Sequence, residues 1–224
     1  MRKWGIVITL VYALIVLGLL VPIFVILFGG HGPLSPDFYK TMREVCGWWG
    51  LWLPVAVVLA GEVILLFLSV DTSFKRLKPR SHVAASCIAA SMLFALLTFA
   101  GLSSLGAAVY GDKFLDRYWA SAIQVLGAWG ILWVLWGILF YLYLRNSLEI
   151  TTRAVSWLLK GSVLELLVAV PCHILVRRRD DCSAPVATSF GIVTGIAVML
   201  LSFGPSVLLL YKKRLDAYAA RGVK

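Results

Sequence analysis

Charge is scarce in this chain. Only 14% of its 224 residues are Asp, Glu, Lys or Arg, against about 25% in a soluble domain. No polar stretch is long enough to fold as a separate catalytic head, so each reads as a loop between apolar runs. Acidic residues number eleven against twenty-one basic ones, and histidine occurs three times. The four cysteines, Cys46, Cys87, Cys172 and Cys182, form no CxxC pair and no zinc-finger spacing. A Walker loop, a GxGxxG after a strand, HExxH and GxSxG are all missing. No nucleophile therefore stands in a recognised catalytic setting, and the residues lean away from an enzyme.

What fills the chain instead is apolar. Hydrophobic residues make up 61% of it, and the mean hydropathy is +0.90. Nearly uncharged runs of span length recur from end to end, which makes the bilayer the solvent and lipid the first partner. In lipid every backbone polar group needs an internal partner, so the expected fold is all-α. It is a polytopic membrane helical bundle in one domain, 1–224, with six spans at about 4–28, 47–70, 83–108, 119–144, 155–176 and 186–211. The net charge of +10 lies mostly beside these spans, where basic residues fix orientation, and no basic face on a folded domain exists to hold nucleic acid.

The run from Trp4 to Phe28 exceeds the apolar core of a signal peptide, and no small-x-small cleavage site stands out after it. It reads as a retained helix, kinked at Pro22 and ended by Gly29-Gly30. The stretch from Ser35 to Cys46 predicts a capped, amphipathic turn of helix at the interface. Trp48, Trp49 and Trp52 then form an aromatic belt. The third span, rich in Ala, Ser and Gly, is expected to pack centrally. In the fourth, Trp129, Trp133, Trp136, Phe140 and Tyr143 recur on one helix face. Such a stripe is lipid-facing bulk or helix packing, or the floor of a quinone, carotenoid or porphyrin site. The sixth span carries Gly191 and Gly195, a GxxxG face for packing within the chain, with itself in a second copy, or with other membrane subunits. A kink is expected at Gly204-Pro205 and a stop at Lys212, Lys213 and Arg214.

Six spans with thirteen flanking Lys and Arg on one side and seven on the other put both termini in the cytoplasm, in a cell membrane. The exception is the Arg177, Arg178 and Arg179 triplet, which this topology leaves outside. Beside Asp180 and Asp181 it either pairs with itself or meets phosphate, a lipid head group or an anionic substrate.

Titratable chemistry gathers in the fifth span. Glu165 lies near its middle, and Cys172 and His173 stand near the outer end. The second span, running the other way, carries Glu62. At 1.5 Å per residue both acids fall roughly 12–15 Å from the cytoplasmic boundary, near the midplane of a ~30 Å core. A lone carboxylate there costs several kcal/mol, so each is expected to be neutral, paired or hydrated. If the two approach, they share a proton or hold a cation. If not, each is a protonated acid bonded to a neighbouring serine or carbonyl, or a contact between subunits. Lys160 is five residues from Glu165, off its face and near the interface.

An echo at an offset of 103 residues pairs Glu62 with Glu165 and Gly101 with Gly204, the pattern of an inverted repeat. At the outer end Cys172, His173, Cys182, His31 and Cys46 offer a disulfide from Cys182 to Cys172 or Cys46 or else free thiols, a metal or haem site, or a redox-active thiol. No particular cofactor is specified. Three functions follow as expectations. The first is a small transporter, or transport-complex subunit, for a proton, cation or small solute. The others are an accessory subunit of a membrane redox complex holding a cofactor or quinone, and an outer-face thiol oxidoreductase.

Overall fold

The computed structural model describes residues 2–29, 35–47, 49–70, 80–119, 121–144, 150–179 and 181–220. Its long helices, in chain order, are α1 (Arg2–Gly29), α2 (Pro36–Gly47), α3 (Trp49–Val70) and α4 (Arg80–Tyr110). After a short turn, α5 (Asp112–Phe114), and a π-helical turn, Leu115–Trp119, come α6 (Ala122–Leu144), α7 (Ile150–Arg178) and α8 (Ala184–Ala220). The fold is all-α, and no strand occurs among the described residues.

Among the described residues, four stretches are long and apolar enough to cross a bilayer: Ala84–Tyr110, Ala122–Leu144, Arg153–Arg178 and Ala184–Gly204. A fifth exists if Pro36–Gly47 and Trp52–Leu65, bent by 68°, are one broken span, while Leu14–Gly29 of α1 is a shorter apolar stretch. The composition of α2 favours the interface instead. Asp37, Lys40, Arg43 and Glu44 fall on it, while Phe38 and Val45 bury against Phe24 and Val25 of α1. Ser35 caps it, its Oγ accepting from the Phe38 N–H at 3.2 Å. Trp52 closes the far end by donating Nε1–H to the Cys46 carbonyl at 2.8 Å. The expected belt residue thus holds the bend. Trp48 and the 71–79 basic loop lie outside the described residues.

The centre is a triad in which α4, α7 and α8 pack against one another. Small residues allow this: Ala89, Ala95, Ala100 and Ala107 of α4 are fully buried, as are Ala154 and Ala169 of α7. α1 and α3 pack chiefly on α8 and α4, and α3 touches α7 only marginally. α6 leans on α4, and its other faces expose Ile123, Ile131, Val134 and Leu142. Only lipid or another apolar surface would cover them.

Two helix ends differ from expectation. α8 runs on past Pro205 and past Lys212–Arg214 to Ala220. The sequence stays apolar to Tyr211, and the charges of Lys212–Arg214 end that run without ending the helix, because lysine and arginine are good helix formers in water. α7 begins at Ile150, earlier than the apolar run.

The aromatic stripe of α6 is largely a packing seam. Trp136 lies 4.3 Å, centroid to centroid, from Phe94 of α4, and Phe140 lies 5.6 Å from the same ring. Trp136 donates Nε1–H to Thr98 Oγ1 at 2.9 Å. Thr98 passes its own proton to the Phe94 carbonyl at 2.8 Å. Thr98→Val strands the indole N–H in an apolar seam, and is expected to cost about 1 kcal/mol. Thr98→Ser should cost less, and melting curves in detergent distinguish the two. Trp129 and Trp133 stack on each other at 5.5 Å, and Tyr143 meets Trp157 edge-on at 5.8 Å.

Candidate functional site: a buried carboxyl between glycines

Glu165 lies twelve residues after Arg153 and thirteen before Arg178, at the middle of the α7 span. Its side chain faces inward and is 6% exposed. Ridge-to-groove packing would normally put an apolar side chain here. The neighbouring helices instead supply space. Gly101 of α4 stands so that a Cβ added there would meet Glu165 Cγ at 3.6 Å. On α8, a Cβ on Gly191 would come within 3.0 Å of Glu165 Oε1, and one on Gly195 would overlap Oε2. The carboxyl therefore lies along α8 with one oxygen over each glycine of the GxxxG pair. Within this chain, that face is occupied by Glu165, Leu166 and Ala169 of α7.

The carboxyl has no hydrogen-bond partner among the described residues. Neither Oε1 nor Oε2 is hydrogen-bonded among the described residues, and both are buried. The Ser104 hydroxyl crowds the same Gly191 Cβ position as Glu165 Oε1. It donates to the Ala100 carbonyl at 2.9 Å and so keeps its lone pairs free. Lys160 is exposed, with Nζ 5.9 Å from the Trp157 ring centre, and supplies no counter-charge. An ionised Glu165 would have no counter-charge among the described residues, at a cost of several kcal/mol. The neutral acid avoids that cost.

Glu62 lies on α3, and its side chain is outside the described residues. What the described residues place against Glu165 are the glycines and serine of α4 and α8. The two partners of the 103-residue echo also differ in setting: Gly101 packs on Glu165, while Gly204 packs on Tyr12 of α1.

Toward the end of α7 the remaining chemistry is dispersed. Cys172 is buried with Ala107, Ala108, Val176, Ala184 and Ala187. Cys182 is exposed in the loop before α8, and Cys46, Cys87, Cys172 and Cys182 are all free thiols. Neither a Cys172–Cys182 nor a Cys46–Cys182 disulfide is present, which leaves the free-thiol alternative, and Cys172 packs in the helix seam. No group of three or more His, Cys, Asp or Glu capable of holding a metal occurs among the described residues. His31 lies outside them. His173 Nδ1 pairs with Thr188 Oγ1 of α8 at 2.9 Å.

The arginine triplet ties helix ends together. Arg177 Nη2 donates to the Leu27 carbonyl and to that of Phe28 at 2.9 Å, closing the C-terminus of α1. Arg179 Nη1 donates to the Ala108 carbonyl of α4 at 2.6 Å, and Arg178 is exposed. Terminal carbonyls carry the negative end of the helix dipole, which explains cations at both ends.

Asp112 was not singled out by sequence, yet it closes the same end. It accepts from the backbone N–H groups of Cys182 at 3.1 Å, Ser183 at 2.8 Å and Ala184 at 2.9 Å, and from the Ser183 hydroxyl at 2.9 Å. It thus caps α8 from a loop some seventy residues earlier. Gly111, at φ 61°, makes the left-handed turn that presents it. The Ala184 and Ser183 N–H groups hold the Asp112 carboxyl down at about 2, from an ordinary 3.8. A depressed folded value means the ionised group stabilises the fold above about pH 4, and that contribution fades as pH falls through 2. Asp112→Asn should therefore flatten the acid limb of the stability profile in that window. At neutral pH it should lower stability by about 1 kcal/mol, as loss of a cap does.

No protein-family model matches the chain, and no curated protein or solved structure matches it. Function is thus argued from the site.

Proposed function

We propose that this protein is a small membrane transporter, or a subunit of a transport complex, whose coupling ion is a proton carried by Glu165. One observation supports the reading above the others: a carboxyl at mid-span, almost fully buried, with both oxygens unpartnered among the described residues. Such a group is expensive to keep, and intramembrane acids of this kind mark ion and proton pathways.

The chemistry of the surroundings favours a proton over a metal ion. Hard cations need about six or more oxygen ligands. At the glycine positions beside Glu165 the neighbours are Ala169, Leu166 and, as the one further oxygen among the described residues, the Ser104 hydroxyl. A proton needs one lone pair and little room. Both termini in the cytoplasm, six spans, and a pairing of Glu62 with Glu165 belong to the same proposal, with the Arg177 end outside.

Proton flux tests it. Liposomes containing the full chain should dissipate an imposed proton gradient faster than protein-free liposomes, and Glu165→Gln should not. Equal rates for the two forms would remove the reading.

A further inference from the structure

Glu165 stands at a boundary within the α4–α7–α8 seam. Toward the start of α7 the seam is filled by bulky residues, Leu93, Leu97, Leu158, Val198 and Leu201. Toward Arg177 the buried residues are small, Ala107, Ala184 and Ala187 among them. The buried hydroxyls of Ser104 and Thr188 lie in this second half.

His173 is in this half too. It follows Glu165 by eight residues, two turns and roughly 12 Å along the same face of α7. The Thr188 hydroxyl donates to the Pro185 carbonyl at 3.2 Å, while His173 Nδ1 lies 2.9 Å from the same oxygen. A hydroxyl has one proton. With it on Pro185, the shared proton between Thr188 and the ring must come from Nδ1. The neutral tautomer assigned by this network is therefore Nδ1–H, which leaves a lone pair on Nε2.

We propose that protons reach Glu165 from the Arg177 end of the bundle, with His173 as the relay. This rests on Glu165 being the proton site. Hydronium gives its proton to Nε2 and becomes water. The imidazolium then releases one ring proton, through water and past the Ser104 hydroxyl, to the Glu165 carboxylate. The ring returns to neutral and the carboxylate becomes the acid. The charged groups around His173 are Arg177, one turn on along α7, and Arg179, Asp112 and Asp181 at the loop end; Cys172 is its titratable neighbour. The apolar stretches Ala84–Tyr110 of α4 and Ala184–Gly204 of α8 carry no charged residue.

The test is the rate at which the Glu165 carboxyl band, identified in the infrared by its loss in Glu165→Gln, responds to a pH step in the reconstituted full chain. His173→Ala is expected to slow the response about a hundredfold, the lower end of what a positioned proton-transfer group contributes. Free imidazole should restore it, which repair of a packing defect would not. Thr188→Val, isosteric but unable to fix the tautomer, should slow it as well. An unchanged rate in His173→Ala and Thr188→Val, or slowing that imidazole fails to reverse, overturns the relay and leaves the Glu165 site standing. A band that ignores pH in the native chain overturns both.

Discussion

Replacing Glu165 by Gln is expected to bring proton flux through the reconstituted protein down to the level of protein-free vesicles. Gln keeps the volume and the neutrality of the protonated acid, so the α4–α7–α8 seam should stay packed. What it removes is the ability to bind and release a proton. The native carboxyl has no partner to lose, both oxygens being unbonded among the described residues, so the fold should be little affected. Melting temperature and expression are expected to stay near native while flux vanishes. Glu165→Asp should retain part of the flux, because a carboxyl remains but is drawn back by one methylene from its place over Gly191 and Gly195. Loss of flux together with loss of folded protein in Glu165→Gln would instead make Glu165 a structural residue.

The second large effect is expected at Gly195. A methyl group there would overlap Glu165 Oε2 and approach Leu166 Cγ at 2.8 Å. The carboxyl must swing out of its groove or α7 must move off α8, and overpacking of this kind costs about 1–3 kcal/mol. Gly127 supplies the control, since a Cβ there would meet nothing within 4 Å. Gly127→Ala should be neutral or slightly stabilising, because alanine is the better helix former. Gly195→Ala should lower the melting temperature and reduce proton flux together. In the double variant with Glu165→Ala, the space left by the carboxyl receives the new methyl, so the stability losses should fall short of additive. Strict additivity would mean that the carboxyl does not lie over Gly195.

Much of the architecture could be read from the chain alone, because hydrophobic run length and the need to satisfy the backbone in lipid leave few options. The helices, the Ser35 cap on α2 and the small-residue character of α4 follow from local pattern. Glu165 stood out for a similarly local reason, as a charge in an apolar run. The cradle was less legible. Gly191 and Gly195 signal a close approach, but nothing in their spacing says that a carboxyl, and not a bare helix ridge, fills it. Asp112 gave no signal at all, because its partners at residues 182–184 are distant in sequence and a capping interaction between loops leaves no periodicity. The arginine triplet showed its charge but not its targets, since the carbonyls of Leu27, Phe28 and Ala108 are backbone atoms that any residue would provide. The stripe from Trp129 to Tyr143 was placed on one face by spacing. Which rings meet α4 was decided by Phe94 and Thr98.

Protonation of one side chain is the claim on which the functional reading depends. Infrared spectra of the reconstituted protein, recorded across a pH titration for native chain and Glu165→Gln, measure it directly. A protonated-carboxyl band that changes with pH in the native protein and is missing from the variant is the expected result. Superimposable spectra would contradict the account, leaving a helical membrane bundle with a buried acid that does no work.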